Sequence, residues 1–348
     1  MNEGKNTFSW QFLGNAALCH VLQKKITQGK IAHAYLFWGH EHTGKKTLVD
    51  YFITSLLCFS ESTQKTGFPC GHCRQCEQYQ KRVHPDIVFL RREKDEKTEK
   101  TKKNISIKQV RQLISQLETG VFLGSYKIGV IYDAETMSIE AANSLLKTLE
   151  EPHSRVIIIL LANNKSALPS TILSRCQSYK VKEATHDEIY QHLKTQGIDA
   201  SSAKIFSNLS GGNVGEALRM SRDQSIFRQH QDIIQSFISI SKNNISFRLT
   251  HAEQFLSDSA DHQEAVLHLE SVFDKWQTAL RDILLIKNMH ADENIIQNSW
   301  YFDPLADVAV NFSNEKLISL IQYLEDAKGK LRKNMNHKII LDNFLLYL

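Results

Sequence analysis

Long apolar runs, an export signal and a strong excess of charge are all missing from this chain of 348 residues. No apolar run reaches the roughly 20 residues that a membrane-spanning helix needs. The first residues, Met1 to Trp10, are mixed and polar, without the apolar core of an export signal. The formal charge is only +4, whereas a dedicated nucleic-acid-binding protein usually carries a stronger basic patch. We therefore expect a cytoplasmic protein that makes no membrane contact.

Cysteines are few, but four of the six are bunched together, at Cys58, Cys70, Cys73 and Cys76. In a chain without an export signal, such a cluster favours metal binding over disulfides. The spacing is C-x11-C-x2-C-x2-C, and four thiolates can close one tetrahedral zinc site. We predict a structural zinc ion, because four protein ligands leave no position open for catalysis. A redox-active cysteine pair is the alternative interpretation.

Short apolar runs alternate with helical patterns in the first half of the chain. The runs that we interpret as strands are Tyr35–Trp38, Asp86–Leu90, Ile128–Tyr132 and Val156–Leu161. Helical patterns lie between them, at about 106–117 and 138–150. Strands that alternate with helices predict an α/β fold, in which helices cover both faces of a parallel sheet.

Strand patterns end at about residue 183, and this change marks a domain boundary. We predict an α/β domain over 1–183 with an inserted zinc module at about 58–76. A small helical domain follows over 184–222. The remaining residues, 223–348, carry apolar stripes at helical spacing, which are more often core than a cofactor site. We therefore predict a helical bundle for this last part.

A phosphate-binding loop is suggested by residues 39–47, which follow a strand and open a helix. In such a loop glycines let backbone N–H groups face phosphate, and a lysine reaches the outer phosphates. The residues that fit are Gly39, Gly44 and Lys45. Lys46 occupies the position where a Ser or Thr should hold magnesium, and Thr47 is one residue late, rotated by about 100° around the helix. The loop is either a relic or a nucleotide site without a normal magnesium contact.

The acidic end of the third strand also departs from an ATPase pattern. There an aspartate supports magnesium and a neighbouring acid often orients the attacking water. If the apolar run ends at Ile131, Tyr132 takes the place of the magnesium aspartate and Asp133 that of the second acid. A phenol is a poor magnesium ligand near neutral pH. In the alternative register, shifted by one residue, Asp133 would itself be the metal ligand.

Four stretches together resemble the bacterial clamp-loader subunits of the DNA polymerase III holoenzyme, an AAA-type family. They are the run before the phosphate loop, the cysteine cluster, the segment NSLLKTLEEP and the segment that ends in Ser-Arg-Cys, at Ile31–Phe37, 58–76, Asn143–Pro152 and Leu168–Cys176. The resemblance covers about residues 8–222, and Asn336–Leu348 resembles the closing helix of the family's collar domain. It implies a P-loop fold, a helical lid over 184–222 and an oligomerising collar over 223–348.

Within this family, the departures favour a delta-prime type of subunit over the ATPase subunits gamma and tau. Lys46 and Tyr132 are two of them. Gly215 is a third, because the ATPase subunits usually carry a nucleotide-sensing arginine at this position. The register that places Tyr132 follows from the match at Asn143–Pro152. The resemblance therefore implies little or no ATP and magnesium chemistry in this chain, with an active gamma-like ATPase as the alternative.

Arg175 is the residue to which the resemblance assigns a role in a neighbour's chemistry. In clamp loaders the arginine of Ser-Arg-Cys reaches the ATP site of the adjacent subunit, and the alternative for Arg175 is a structural ion pair. The implied partners are gamma or tau and delta subunits in a hetero-pentamer, with the sliding clamp and primer–template DNA. The charged stretch Arg91–Asn104 is interpreted as a solvated insertion, or else as a lysine-rich arm that touches DNA.

Overall fold

The computed structural model describes residues 12–93, 102–256, 262–289, 296–331, 333 and 335–348. The chain divides into two compact units, one up to Glu188 and one from Ile189 to Leu348. The strands are β1 Ala34–Trp38, β2 Ile87–Leu90, β3 Lys127–Ile131, β4 Val156–Ala162 and β5 Gln177–Lys180. The α-helices are α1 Ala16–Thr27, α2 Lys45–Leu57, α3 Glu61–Thr66, α4 Arg74–Gln80, α5 Ile107–Leu117, α6 Ile139–Glu150, α7 Ser170–Leu173, α8 His186–Thr195, α9 Ala200–Leu209, α10 Val214–Arg222, α11 Gln224–Lys242, α12 Ile245–Thr250, α13 His262–Met289, α14 Phe302–Ala309, α15 Asn314–Leu331 and α16 His337–Tyr347.

All five strands form one parallel sheet in the order β2-β3-β4-β1-β5. This arrangement confirms the predicted P-loop α/β fold and its four predicted strands. The fifth strand, β5, was not predicted, because its sequence is polar and short and its residues are only partly buried. It forms only by pairing with β1, where Tyr35 lies opposite Gln177.

Both faces of the sheet are buried, as expected for parallel strands. Alternate residues of β1 point to opposite faces. Tyr35 and Phe37 pack with residues of α2, including Phe52, whereas Ala34 and Leu36 pack with residues of α5 and α6. The ring centroids of Tyr35 and Phe52 lie 5.0 Å apart in an edge-to-face arrangement. Helices on both sides therefore hold the strands in one register.

Helices are the regular elements of the described part of the second unit. Its core is built around Trp276 of the long helix α13, whose ring lies 5.3 Å from that of Phe344 and 4.8 Å from that of Phe255. The apolar stripe predicted along this helix is buried there. The subdivision of this part into a lid over 184–222 and a collar over 223–348 stays a prediction.

For the charged stretch and for membrane-spanning helices, the structure bears only on the residues that it describes. Most of the charged stretch Arg91–Asn104 lies outside them, since residues 94–101 are not described. Among the helices of the described ranges, none combines the length and the apolar character that a membrane span requires.

The edge of the sheet is anchored by Asp86, which is fully buried just before β2. Its carboxylate accepts hydrogen bonds of 2.7 Å from the backbone N–H groups of Phe122, Leu123 and Gly124, and Lys127 Nζ lies 3.8 Å away. Burial by itself raises the pKa of Asp86, but these N–H groups and the lysine charge outweigh it, so the pKa lies below its usual range. The carboxylate thus ties the loop before β3 to the start of β2.

We predict that Asp86→Ala lowers the free energy of unfolding of the first unit by about 3 kcal/mol, because it leaves three N–H groups and a buried lysine without their partner. Urea unfolding of the variant measures this loss. Since the folded pKa of Asp86 lies below the unfolded value of about 3.9, the stabilisation is present above that pH and is lost as pH falls through the folded value. The difference between wild type and variant should therefore shrink in acid. An exposed carboxylate, removed in Glu183→Ala, provides the control; equal stability of both variants would contradict the prediction.

Candidate functional site

The phosphate loop connects β1 to α2 at the carboxyl edge of the sheet, and its two predicted glycines are required by the backbone. A Cβ atom on Gly39 would lie 2.3 Å from the carbonyl oxygen of Val181. Gly44 has a φ of 80°, and a Cβ there would lie 2.7 Å from the ring of Phe12. Any larger residue would therefore clash at Gly39, and at Gly44 it would also be strained.

Lys45 is buried at the start of α2 and is satisfied by the loop itself. Its amino group donates to the carbonyl oxygens of Gly39 at 2.8 Å and of His40 at 2.6 Å. Burial lowers the pKa of Lys45, while the charges of Glu135 and Glu41 oppose this change. The cation is thus in place for a phosphate, but its present ligands are carbonyl groups of its own chain.

The two side chains that follow Lys45 do not provide a buried hydroxyl. Lys46 stands at the magnesium position and is exposed, and Thr47 is exposed as well. The hydroxyl of Thr43 is the buried one in this region, but it donates to the carbonyl oxygen of His40 at 3.0 Å. The loop therefore offers a lysine without the usual hydroxyl ligand.

At the end of β3, Tyr132, for which the sequence predicts the magnesium-aspartate position, is packed as an aromatic side chain. The guanidinium carbon of Arg91 lies 4.2 Å from the ring centroid of Tyr132, a cation–π distance. The ring of Phe89 lies 6.2 Å away on the neighbouring strand. Burial raises the pKa of the Tyr132 phenol, so the phenolate that could bind a metal is disfavoured near neutral pH.

Asp133 is paired with a cation of its own chain. Its Oδ2 atom accepts from Arg92 at 3.1 Å, and its φ of 49° lies in the left-handed region. Among the acidic residues, it is instead Glu135, two residues further on, whose negative charge does most to raise the pKa of Lys45. The sequence-based interpretation did not single out Glu135 or Arg92, because neither belongs to a recognised motif.

Glu135 links the ends of two strands with the loop. Its Oε1 atom accepts the backbone N–H of Asn163, which follows β4, at 2.9 Å, and the side-chain amide of Asn163 donates to Glu41 at 3.2 Å. The other carboxylate oxygen, Oε2, is buried without a hydrogen-bond partner among the described residues. Two carboxylates and a lysine therefore meet where a nucleotide would place negatively charged phosphates.

The four clustered cysteines come together at the end of α2 and the start of α4. All four sulfur atoms lie within 4.8 Å of one another. Sulfur–sulfur distances are 3.5 Å for Cys58–Cys70, 3.8 Å for Cys58–Cys73 and 3.5 Å for Cys73–Cys76. A tetrahedron with Zn–S bonds of about 2.3 Å has edges of roughly 3.8 Å. The donor set and its size therefore fit one zinc ion.

Two hydrogen bonds from the protein converge on the sulfur atom of Cys58. The backbone N–H of Cys70 donates to it at 3.4 Å, and the hydroxyl of Thr63 donates to it at 3.1 Å. The hydrogen bond between Cys58 and Cys76 lowers the pKa of Cys58 and raises that of Cys76, so the two thiols share one proton. The isolated Cys19 and Cys176 differ, since burial raises their pKa values to about 11 and about 12. These two thiols are buried packing residues outside the cluster.

Arg175 follows the short helix α7 and is about one-third exposed. Its NH2 atom lies 2.5 Å from Glu150 Oε1, and its NH1 atom donates to Thr171 O at 2.9 Å and Ser174 Oγ at 3.2 Å. These partners belong to the ends of α6 and α7 and not to the phosphate loop. The ion pair was one of the two interpretations for Arg175, and the partial exposure leaves the guanidinium accessible from outside.

Comparison with known proteins gives consistent matches. The family model described as DNA polymerase III, delta subunit, matches residues 14–185. The DNA polymerase III subunit delta' of Bacillus subtilis (strain 168) is 26% identical over 331 residues, which cover 94% of this chain and 94% of that protein. Subunit delta' of Pseudomonas aeruginosa is 30% identical over 217 residues, or 62% of this chain and 63% of that protein.

Gamma and tau subunits are also similar, and the tau/gamma subunit of Haemophilus influenzae is 29% identical over 181 residues, which cover 52% of this chain and 25% of that protein. The DNA polymerase III subunit gamma of Buchnera aphidicola subsp. Schizaphis graminum is 25% identical over 246 residues, which cover 69% of this chain and 61% of that protein. The family match and the two delta' relatives agree with the resemblance of the motifs at Asn143–Pro152 and Ser174–Cys176. The chain belongs to the bacterial DNA polymerase III clamp-loader subunits and is of the delta-prime type.

Proposed function

We propose that this chain is a subunit of the clamp loader that does not hydrolyse ATP itself and supplies Arg175 to the ATP site of a neighbouring subunit. The observation that carries the proposal is the contrast between two sites. Lys46 in the phosphate loop and Tyr132 after β3 take the two predicted magnesium positions, whereas the arginine of Ser-Arg-Cys is partly exposed at the surface.

Loss of hydrolysis follows from the groups that a magnesium–phosphate complex would need. The P-loop hydroxyl and the strand-end aspartate normally hold the ion. Lys46 adds a positive charge where the hydroxyl should be, and Tyr132 is stacked under Arg91. Asp133, which could replace it in a shifted register, is paired with Arg92. Lys45 is compatible with nucleotide binding at the loop, whereas hydrolysis would also require the metal.

An arginine given in trans has a clear chemical task. Negative charge builds up on the γ-phosphate oxygens during phosphoryl transfer, and a guanidinium from a neighbouring protein can stabilise it. The planar fork of arginine donors fits phosphate oxygens. Arg175 has this chemistry and a surface position, which supports its assignment as the arginine finger.

The proposed setting is a cytoplasmic hetero-pentamer with gamma or tau and delta subunits. In it, residues 223–348 would form the collar that joins the subunits, and residues 184–222 the lid. The assembled ring would open the sliding clamp and load it on primer–template DNA. Its DNA contacts would be made mainly to phosphates, so they would depend on salt and not on sequence.

A structural zinc ion completes the proposal. Cys58, Cys70, Cys73 and Cys76 would hold it with four thiolates and thereby join the end of α2 to the start of α4. A closed four-thiolate site stabilises the fold, and it leaves no coordination position open for a substrate.

We predict about one zinc ion per chain in protein purified without chelator, since the four thiolates match a tetrahedral site. Metal analysis by mass spectrometry measures the stoichiometry. Cys73→Ser should lose most of the zinc and lower the melting temperature of the first unit. The matched control is Cys176→Ala, which removes a buried thiol outside the cluster and should keep the metal. Protein that contains free thiols and no zinc would refute the assignment.

We predict that the purified chain shows no magnesium-dependent ATP hydrolysis above background, because both magnesium contacts are missing. A phosphate-release assay with and without magnesium measures this. The rival hypothesis is an active gamma-like ATPase, which the similarity to gamma subunits favours. Turnover that requires magnesium and disappears in Lys45→Ala would establish the rival and overturn our proposal.

We predict that Arg175→Ala in this chain alone lowers the ATPase rate of the reconstituted loader, stimulated by clamp and primed DNA. At the adjacent site the loss should be about 10³-fold or more, as for other arginine fingers. Lys165→Ala, a change of another cationic residue of the first unit, serves as the control. Gel filtration must show that every variant still joins the ring. An unchanged rate in a complete ring would remove Arg175 from the mechanism.

A further inference from the structure

The partner of Arg175 comes from the helix that carries the NSLLKTLEEP segment. Glu150 is the last residue of α6, and its Oε1 atom lies 2.5 Å from Arg175 NH2. The two side chains are 48% and 33% exposed, respectively. An ion pair at this level of exposure contributes little to stability, typically about 0–1 kcal/mol. The effect of the ion pair on the orientation of the guanidinium group is separate from its contribution to stability.

Three contacts fix the plane of the guanidinium group. A guanidinium has five N–H donors in a rigid fork. The NH1 atom donates to Thr171 O and Ser174 Oγ, and the NH2 atom faces Glu150. The contact of NH2 with Glu150 is a close ion pair, and the Nε–H group takes no part in these contacts. Nε and NH2 lie side by side on the rigid fork, which is the arrangement that a bidentate contact to phosphate oxygens requires.

The C-terminal end of α6, where Glu150 lies, also attracts the positive charge of Arg175. Glu150 ends α6, and the last carbonyl groups of a helix carry partial negative charge that favours a nearby cation. On the other side, Thr171 offers a carbonyl oxygen of α7. The guanidinium is thus held by acceptors of two helices that pack against each other within the first unit.

We propose that Glu150 is a positioning residue that orients the guanidinium of Arg175 for the phosphates of a neighbouring subunit's nucleotide. This inference rests on the proposed function, in which Arg175 acts in trans. Glu150 itself touches neither substrate nor metal. It restricts the rotamers of a long side chain before the subunits meet, so that less freedom is lost when the arginine reaches the phosphate.

The carboxylate could also act in the opposite direction and hold the arginine back from the phosphate. The two roles predict opposite changes when Glu150 is removed. A positioning residue makes the arginine less effective when it is lost, whereas a residue that restrains the arginine makes it more effective. The contacts of NH1 with Thr171 and Ser174 favour positioning, because they hold one side of the guanidinium on α7 while its Nε–H group stays outside these contacts.

The test uses the complete loader with substitutions in this chain alone. The quantity measured is the Arg175-dependent ATPase rate, defined for each loader as its own rate minus the rate of the loader with Arg175→Ala. The variants are Glu150→Ala, which removes the carboxylate, and Glu150→Gln, which replaces the carboxylate with an uncharged amide of similar shape. Glu151→Ala is the matched control, since Glu151 is the next residue and is also exposed. Gel filtration confirms that each ring contains this chain.

We predict that Glu150→Ala lowers the Arg175-dependent rate by up to roughly fivefold, the change that corresponds to the loss of about 1 kcal/mol. The rate of Glu150→Gln should fall between those of wild type and Glu150→Ala, since the amide keeps the shape of the carboxylate but not its charge. The effect should appear in kcat, with KM for ATP unchanged, and Glu151→Ala should match wild type. In the Arg175→Ala background, adding Glu150→Ala should change nothing further, which a general structural defect would not reproduce.

The outcomes separate this inference from the proposed function. If Arg175→Ala lowers the rate but Glu150→Ala equals or exceeds wild type, Glu150 does not position the arginine, and the in-trans role stands. If Glu150→Ala still lowers the rate in the Arg175→Ala background, Glu150 acts through other contacts and the inference is wrong. If Arg175→Ala has no effect, both the finger and its positioning are overturned.

Discussion

The parallel pairing of β1 with β4 is the interaction on which the candidate site depends. All seven residues of β4 are buried, and the strand pairs with β3 on one side and β1 on the other. Because the carboxyl ends of parallel strands meet at one edge, the loop after β1, Glu135 after β3 and Asn163 after β4 come together there. A slip of one residue in β1 would move Phe37 to the opposite face of the sheet and shift the loop with it.

Lys45 and Arg175 both have partners within the chain, and their exposure decides which of them can serve another molecule. Lys45 is buried, and its carbonyl partners compensate the burial of a cation. A nucleotide would have to replace these contacts and also face the carboxylates of Glu41 and Glu135. Arg175 is partly exposed, so exchanging a partner is far less costly for it. This difference in exposure is the physical basis for the proposal that Arg175 acts in trans.

Sequence alone predicts the parts that local patterns specify. The four apolar strands, the phosphate loop, the cysteine cluster and the helical second half all follow from periodicity, glycine placement and ligand spacing. Strand β5 could not be predicted, because its four residues are polar and become a strand only opposite β1. The pairings of Asp133 with Arg92 and of Arg175 with Glu150 join residues 41 and 25 positions apart in the chain. Such contacts depend on how loops and helices pack, which no local pattern encodes.

Helix α2 shows why a phosphate-loop sequence does not by itself require a nucleotide. At its start, glycines are needed because Val181 and Phe12 leave no room for a side chain, and Lys45 closes the loop through two carbonyl groups. In its middle, Asp50 accepts from Tyr79 at 2.6 Å and pairs with Arg82 at 2.7 Å. At its end, Cys58 joins the cysteine cluster. Each contact restrains the helix without ATP, so the fold alone accounts for Gly39, Gly44 and Lys45, whereas hydrolysis would also require the magnesium ligands that Lys46 and Tyr132 do not provide.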